Sequence, residues 1–304
     1  MKLERILICT DFSQAATAGA KWVSEHFAPD AELTLLHVVE PPDQPRFASG
    51  LLPAADVIQA VAREDATMRL REVGSYLTAT EPRLEIRVGT PHEVVVGVAR
   101  DGGFDLVVIG PHGDRPRRSR FLGTTADRVV RTSTVPVLVA THPRAGAPLN
   151  FLVPVDERSV TPLVLEATRE LADRFDAAVT LLHVWSNAVY SHVASMSYAT
   201  AHGKEQAARD DIARELHEAS VHWLNEVARA GIARDRVTAT VTYGNAGEMT
   251  VATASSAHAD LIIIGRATAS ILRPALLGST IGTVLHEARC PILVMTESPG
   301  ATAG

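Results

Sequence analysis

Three glycines at fixed intervals are the first residues whose spacing suggests chemistry. Gly110 and Gly113 flank two residues, and nine more lead to Gly123-Thr124-Thr125. Glycine lets a backbone approach an anion closely and take positive φ. A glycine followed by two threonines at the start of a helix offers free amides and hydroxyls where an anion is favoured. The chemistry this implies is phosphate binding. Arg115, Arg117, Arg118 and Arg120 crowd the nine-residue stretch, and guanidinium forks suit phosphate oxygens. With Pro116 among them, the same density also suits a solvated loop. Arg120 is carried forward as a phosphate contact. His112 reads either as a group facing the phosphates or as an exposed loop histidine. Asp11, after an apolar run, reads either as a ligand group or as the cap of the following helix. There is no Gly-x-x-x-x-Gly-Lys-Ser/Thr loop and no Gly-x-Gly-x-x-Gly after the first strand. His217 and His222 are five apart, so on a helix their rings point roughly 140° apart and share a metal poorly. No catalytic residue and no dedicated metal site is assigned.

These residues sit in a chain that repeats itself. Five short apolar blocks of the first half return in the same order in the second. Arg5–Asp11 is answered by Asn150–Asp156, and Leu33–Val38 by Val179–Val184. Val88–Glu93 is answered by Tyr243–Glu248, Asp105–Gly110 by Asp260–Gly265, and Val135–Val139 by Cys290–Val294. Asp11 and Asp156 are 145 residues apart and Gly110 and Gly265 are 155 apart, so the second copy is longer, in its 186–210 segment. The join falls near Thr141–Leu149, which has prolines, a glycine and no apolar periodicity.

The blocks are rich in Val, Ile and Leu, as suits strands buried on both faces of a parallel sheet. Helical patterns lie between them. In the first half these are Gln14–Phe27 (capped by Ser13), Val57–Thr78, Pro91–Asp101 and Thr124–Thr132. In the second they are Pro162–Phe175, Lys204–Ala230, Ala246–Ala257 and Ser279–Arg289. Strands alternating with helices mean βαβ units. The expected fold is α/β, two tandem doubly wound and mainly parallel five-stranded sheets, with domains at 1–143 and 149–297. Ligands of such sheets bind beyond the carboxyl ends of the strands, where Thr10-Asp11 and Gly110 stand. Residues 41–56 are read as a flap over the cavity, with 186–203 as their counterpart.

Composition narrows the classes. With 304 residues, 46% of them hydrophobic, each half can bury a core. A net charge of −6 argues against a nucleic-acid partner. Cys9 and Cys290 read as small buried thiols in a reducing compartment. No signal-peptide pattern and no apolar run near the ~18 residues of a membrane span is found. The expectation is a soluble cytoplasmic protein with no membrane partner.

With these blocks in place, the chain resembles the universal stress proteins in their tandem-domain form. ATP-binding members carry Gly-x2-Gly-x9-Gly-Ser/Thr, the spacing of Gly110, Gly113 and Gly123-Thr124. The resemblance implies the adenine nucleotide α-hydrolase-like fold arranged as a pseudo-dimer, in which Val135–Ala140 pairs with Pro291–Met295. It implies ATP, with or without magnesium, as the ligand. The Asp ending the first strand, here Asp11 and Asp156, faces the nucleotide. An Asp cannot attract phosphate by charge, so its role is toward ribose or base. The backbone after the His-Val of the second strand takes the adenine, implicating Val38, Val39 and Val184. The first-half site is then Thr10, Asp11, Val38, Val39, Gly110, His112, Gly113, Arg120, Gly123, Thr124 and Thr125.

The second copy departs from the pattern. It keeps Asp156, Val184, Gly265, Gly278, Ser279 and Thr280, but Thr268 replaces the second glycine. A side chain there disfavours positive φ and crowds the phosphate approach, and only Arg266 and Arg273 lie nearby. A weaker second site is expected. Three functions follow: a nucleotide-dependent stress-response regulator with little or no hydrolysis, a slow ATPase or other nucleotide-processing enzyme, and a nucleotide-free assembly module. The protein partner and homodimerisation of whole chains are not legible.

Overall fold

The computed structural model describes residues 1–41, 55–77, 81–113, 122–156, 161–185, 214–215, 218–225, 234–266 and 279–296. In the first half the strands are β1 Arg5–Cys9, β2 Glu32–Val39, β3 Arg83–Val88, β4 Leu106–Ile109 and β5 Val137–Val139. In the second they are β6 Asn150–Pro154, β7 Ala178–Trp185, β8 Val237–Tyr243, β9 Leu261–Arg266 and β10 Ile292–Thr296. The helices are α1 Gln14–Trp22, α2 Ala55–Ser75, α3 Pro91–Asp101, α4 Thr124–Thr132, α5 Thr161–Phe175, α6 Ala246–Ser256 and α7 Ser279–Glu287. Residues 214–215 and 218–225 are also helical, within the Lys204–Ala230 pattern whose remainder lies outside the described residues. The chain forms two compact units, one of Met1–Ala147 with the final strand, the other beginning at Pro148.

In the first unit the strand order is β3-β2-β1-β4-β5. Neighbours are parallel, with Ile6 opposite Leu33 on one side and Leu106 on the other. Ile6, Leu7, Ile8, Val107 and Leu138 are fully buried. That continuous burial explains why these strands read as unbroken apolar runs. β3 ends the order, and its Arg83, Glu85 and Arg87 give it a charged edge that discourages further strand pairing. β10 joins β5 antiparallel, with Ile292 opposite Val139 and Val294 opposite Val137. This is the Val135–Ala140 to Pro291–Met295 pairing that the resemblance implied. Contact thus groups β10 with the first unit, whereas repeat order counts it with the second copy.

α1 starts where Ser13 Oγ accepts the Ala16 amide, and its last turn widens to a π-helical one over Val23–Phe27. It lies close on the sheet: a Cβ at Gly19 would come within 2.6 Å of Ala140 Cβ. α2 packs on β2 and β3, and α3 packs on β2 and α4. α2 already begins at Ala55, so the expected flap over 41–56 loses its last two residues to helix; 42–54 lie outside the described residues.

The second unit has the order β9-β6-β7-β8, all parallel. α5 packs on β6 and β9, and α6 on β6, β7, β8 and α7. The repeat extends to single hydrogen bonds. The Asp105 carboxylate accepts the amides of Glu4 and Arg5, and the Asp260 carboxylate accepts those of Leu149 and Asn150. Gly89 at φ 150° donates to Val39 O, and Gly244 at φ 141° donates to Trp185 O. This backbone position requires glycine, and both copies keep it.

Candidate functional site

The first unit holds a cavity of about 300 Å³ at the carboxyl ends of its strands. That is the small end of the size usual for small-molecule sites. Its wall is assembled from the turns after β1, β2 and β4 and from the start of α4. Thr10, Asp11, Val38, Gly110, His112, Gly113, Gly123, Thr124 and Thr125 all line it. Arg120, with Arg115, Arg117 and Arg118, lies outside the described residues.

Val39 does not line the cavity. Its side chain is buried at 8% exposure, whereas Leu36, His37 and Val38 reach the wall. The Val39 carbonyl is also taken, by the Gly89 amide at 3.1 Å. Glu40, one residue on, returns to the wall. Glu40 was missed in the sequence, although its place two residues after Val38 carried the signal. Pro91 and Val95 of α3 add an apolar side that no spacing announced.

The turn after β1 is the most constrained part. The Thr10 amide donates to Leu36 O at 3.0 Å, and His37 Nδ1 lies 2.8 Å from Thr10 O. A carbonyl only accepts, so neutral His37 carries its proton on Nδ1. Phe12 sits at φ 66°, a left-handed conformation that a bulky side chain rarely adopts. Three contacts hold it there. Its amide donates to Thr10 Oγ1 at 2.9 Å, its ring packs on His37 at 4.3 Å, and the Arg69 guanidinium of α2 lies 4.2 Å over its other side. Burial lowers the pKa of His37, and Arg69 lowers it further. The bond to Thr10 O, and the charges of Asp11 and Asp65, oppose the shift. His37 is thus both the structural residue expected and part of the cavity wall. Burial pushes the Cys9 thiol, at the cavity floor, up to about 12, which keeps it an inert thiol. Both cysteines are buried and free.

Asp11 does not cap α1. That role belongs to Ser13, whose Oγ accepts the Ala16 amide at 3.2 Å. Asp11 Oδ1 instead accepts the Ser13 amide at 3.0 Å, and the carboxylate is exposed at the cavity.

The loop glycines are needed for a different reason than expected. None of Gly110, Gly113 and Gly123 takes positive φ. Gly110 and Gly113 are instead points of close approach. A Cβ at Gly110 would stand 3.2 Å from the Ala16 backbone, and one at Gly113 would stand 2.5 Å from Asp11 Oδ2. Gly123 donates its amide to Pro111 O at 2.7 Å, tying the two ends of the loop together. His112 is exposed, and its Nδ1 lies 3.4 Å from Gly113 O.

α4 begins after Gly123 with no side-chain cap, as α3 does after Thr90, whereas Ser13 caps α1 and Asn245 caps α6. Its first amides therefore face the cavity with no side chain among the described residues to receive them. Exposed first-turn amides with the helix dipole behind them suit a phosphate. Among the described residues no group of three or more His, Cys, Asp or Glu is placed to hold a metal, and no helix is long and apolar enough to cross a membrane.

The second unit repeats the strand-end geometry but fills it differently. The Val155 amide donates to Leu182 O, and His183 Nδ1 lies 3.1 Å from Val155 O. Asp156, however, is engaged by Thr161, whose hydroxyl donates to Asp156 O at 2.6 Å and lies 3.5 Å from Oδ1. Trp185 and Trp223 both pack edge-on against His183. Val184 is half-buried in register with Thr242, and Gly265 is half-buried in β9. Ser279 and Thr280 open α7. Thr268, Gly278 and Arg273 lie outside the described residues. Arg266 is only 7% exposed, so it does not offer the surface guanidinium that its position suggested.

Comparison with known proteins agrees with this architecture. The profile described as "Universal stress protein family" matches residues 2–141 and 149–296. Universal stress protein MJ0577 of Methanocaldococcus jannaschii is 30% identical over 151 residues, 45% of this chain and 93% of its own length. A universal stress protein of Mycobacterium tuberculosis is 23% identical over 308 residues, covering 98% of both chains. The crystal structure of a universal stress protein from Archaeoglobus fulgidus superposes with a TM-score of 0.69 at 18% identity, covering 98% of each chain. The chain therefore belongs to the universal stress protein family and carries two of its domains in tandem.

Proposed function

We propose that the first unit binds ATP and that the chain acts as a nucleotide-dependent regulatory module of the stress response, with little or no hydrolysis. The observation that carries this is the uncapped start of α4, open to one cavity together with Gly110, Gly113 and Asp11. The α4 amides suit the phosphates, the exposed Asp11 carboxylate suits ribose or base donors, and the wall at Val38 with Pro91 and Val95 suits the flat apolar face of a base. Magnesium, if it accompanies ATP, would be held largely by the phosphates themselves.

We infer one strong site per chain. Asp156, the counterpart of Asp11, is tied to Thr161, and Thr268 stands in the sequence where the first copy has Gly113. Acid extraction of the purified chain, followed by nucleotide analysis and calorimetric titration with ATP and magnesium, tests both statements. The expected result is adenine nucleotide in the extract and close to one strong site per chain. No nucleotide in the extract and no heat on titration would refute the binding reading. Two equivalent sites would refute the asymmetry alone.

A further inference from the structure

We propose that Gly113 is a positioning residue for Asp11, so that the second glycine of the loop serves the ribose and base end of the ligand rather than its phosphates. The proposal rests on the nucleotide-binding reading of the same cavity. A Cβ at position 113 would lie 2.5 Å from Asp11 Oδ2 and 3.7 Å from its Cγ, the nearest atoms among the described residues other than the chain neighbours. Gly113 is not at positive φ, so conformational freedom is not what the position demands. It demands an absent side chain, and the neighbour that needs the space is a carboxylate.

One oxygen of that carboxylate is already committed. Oδ1 is fixed on the Ser13 amide at 3.0 Å. Ser13 is in turn fixed, its Oγ accepting the Ala16 amide and lying 3.5 Å from His112 O, next to Gly113. Asp11, Ser13, His112 and Gly113 thus close a ring joining the turn after β1 to the turn after β4. A methyl group on Gly113 forces Oδ2 away and either breaks the Ser13 contact or rotates the carboxylate off the cavity. In the second copy, with Thr268 at the matched sequence position, the Thr161 hydroxyl donates to the Asp156 main-chain carbonyl and lies 3.5 Å from its carboxylate.

The test is a double-substitution cycle read with two ligands. ATP and adenosine are titrated by calorimetry into the full-length chain, Gly113→Ala, Asp11→Ala, and Asp11→Ala/Gly113→Ala. Loss of a hydrogen bond to a charged group predicts that Gly113→Ala weakens both ligands by the same factor, about tenfold or more. In the Asp11→Ala background it should change neither. A loss confined to ATP overturns the proposal, since it would put the crowding at the phosphates, and so does an equal loss in the Asp11→Ala background, since the effect would then not run through Asp11. Circular dichroism checks each fold. Should Gly113→Ala alone not fold, the Asp11→Ala pair decides, because it contains no carboxylate to clash with: equal affinities support the proposal and a drop for ATP alone overturns it. An unaltered chain that binds neither ligand removes the cavity reading itself, and is recognised before any variant is compared.

Discussion

Filling the open end of α4 should make the protein more stable and a poorer ATP binder at once. Gly123 occupies the cap position at φ −63° and ψ 149°, a conformation open to any residue. A Cβ there meets only His112 Cα and Pro111 O, both at 3.4 Å, which is ordinary contact. Gly123→Asn thus fits without strain. It removes the entropy that glycine adds to the unfolded chain, worth about 0.4–1 kcal/mol, and gains a few tenths from a side-chain cap on the Thr125 or Ala126 amide. The sum is about 1 kcal/mol, or a rise in Tm of about 2–4 °C for a unit of this size. The same cap takes an amide from the phosphates. A hydrogen bond to a charged group is worth about 1.5–3 kcal/mol, so ATP affinity should fall about tenfold or more while adenosine binding stays. Gly123→Asp should fall further by repulsion, and that extra loss should shrink as salt rises. Differential scanning calorimetry and titration calorimetry read the two effects. A stabilised Gly123→Asn chain with unchanged ATP affinity would refute the placement of phosphates at α4.

Three further outcomes follow from the geometry. His37 has a folded pKa below its ordinary 6.5, so as pH falls through 6.5 the unfolded chain takes up a proton that the folded chain refuses. Stability should drop from about pH 6.5 downward until the folded pKa is reached; melts from pH 8 to 5 should show a shallower fall for His37→Asn, and identical slopes would contradict the assignment. Asn245 Oδ1 accepts the amides of Gly247 and Glu248, so Asn245→Ala should cost about 1 kcal/mol by urea denaturation, against no comparable loss for Gly123→Ala. Phe151 is 1% exposed and meets Phe175 edge-on; Phe151→Ala should cost about 3–5 kcal/mol, read as a lower urea midpoint, and a loss under 1 kcal/mol would show the second core to be loosely packed.

Much of the site was legible because chain chemistry and spacing announce it. The Gly110, Gly113 and Gly123 intervals led to residues that share one cavity, α3 runs from its proline to Gly102, and α4 starts after Gly123. Most of the expected helix over 204–230, apart from the helical 214–215 and 218–225, and the arginines of the loop lie outside the described residues. Other features were not legible because they depend on neighbours distant in sequence. Val39 was grouped with Val38 for its backbone, and only the fold shows that its carbonyl accepts the Gly89 amide and that its side chain is buried. Asp11 and Ser13 both suit a helix cap, and only the backbone path shows Ser13 in that role, with Asp11 left for the cavity. Phe12 gives no sign in sequence of its left-handed turn, which exists because His37 and Arg69 clamp its ring.

Read alone, the sequence determined the repeat, the α/β class and the spacing of the glycine loop, since each is a periodicity or an interval along the chain. Tertiary structure decided why the glycines are required. No backbone angle calls for Gly113; Asp11, a hundred residues earlier, does. It also decided where β10 pairs and how Asp156 is engaged. Those outcomes depend on which atoms meet across the sheet, and intervals within a chain do not encode distances between its separated parts.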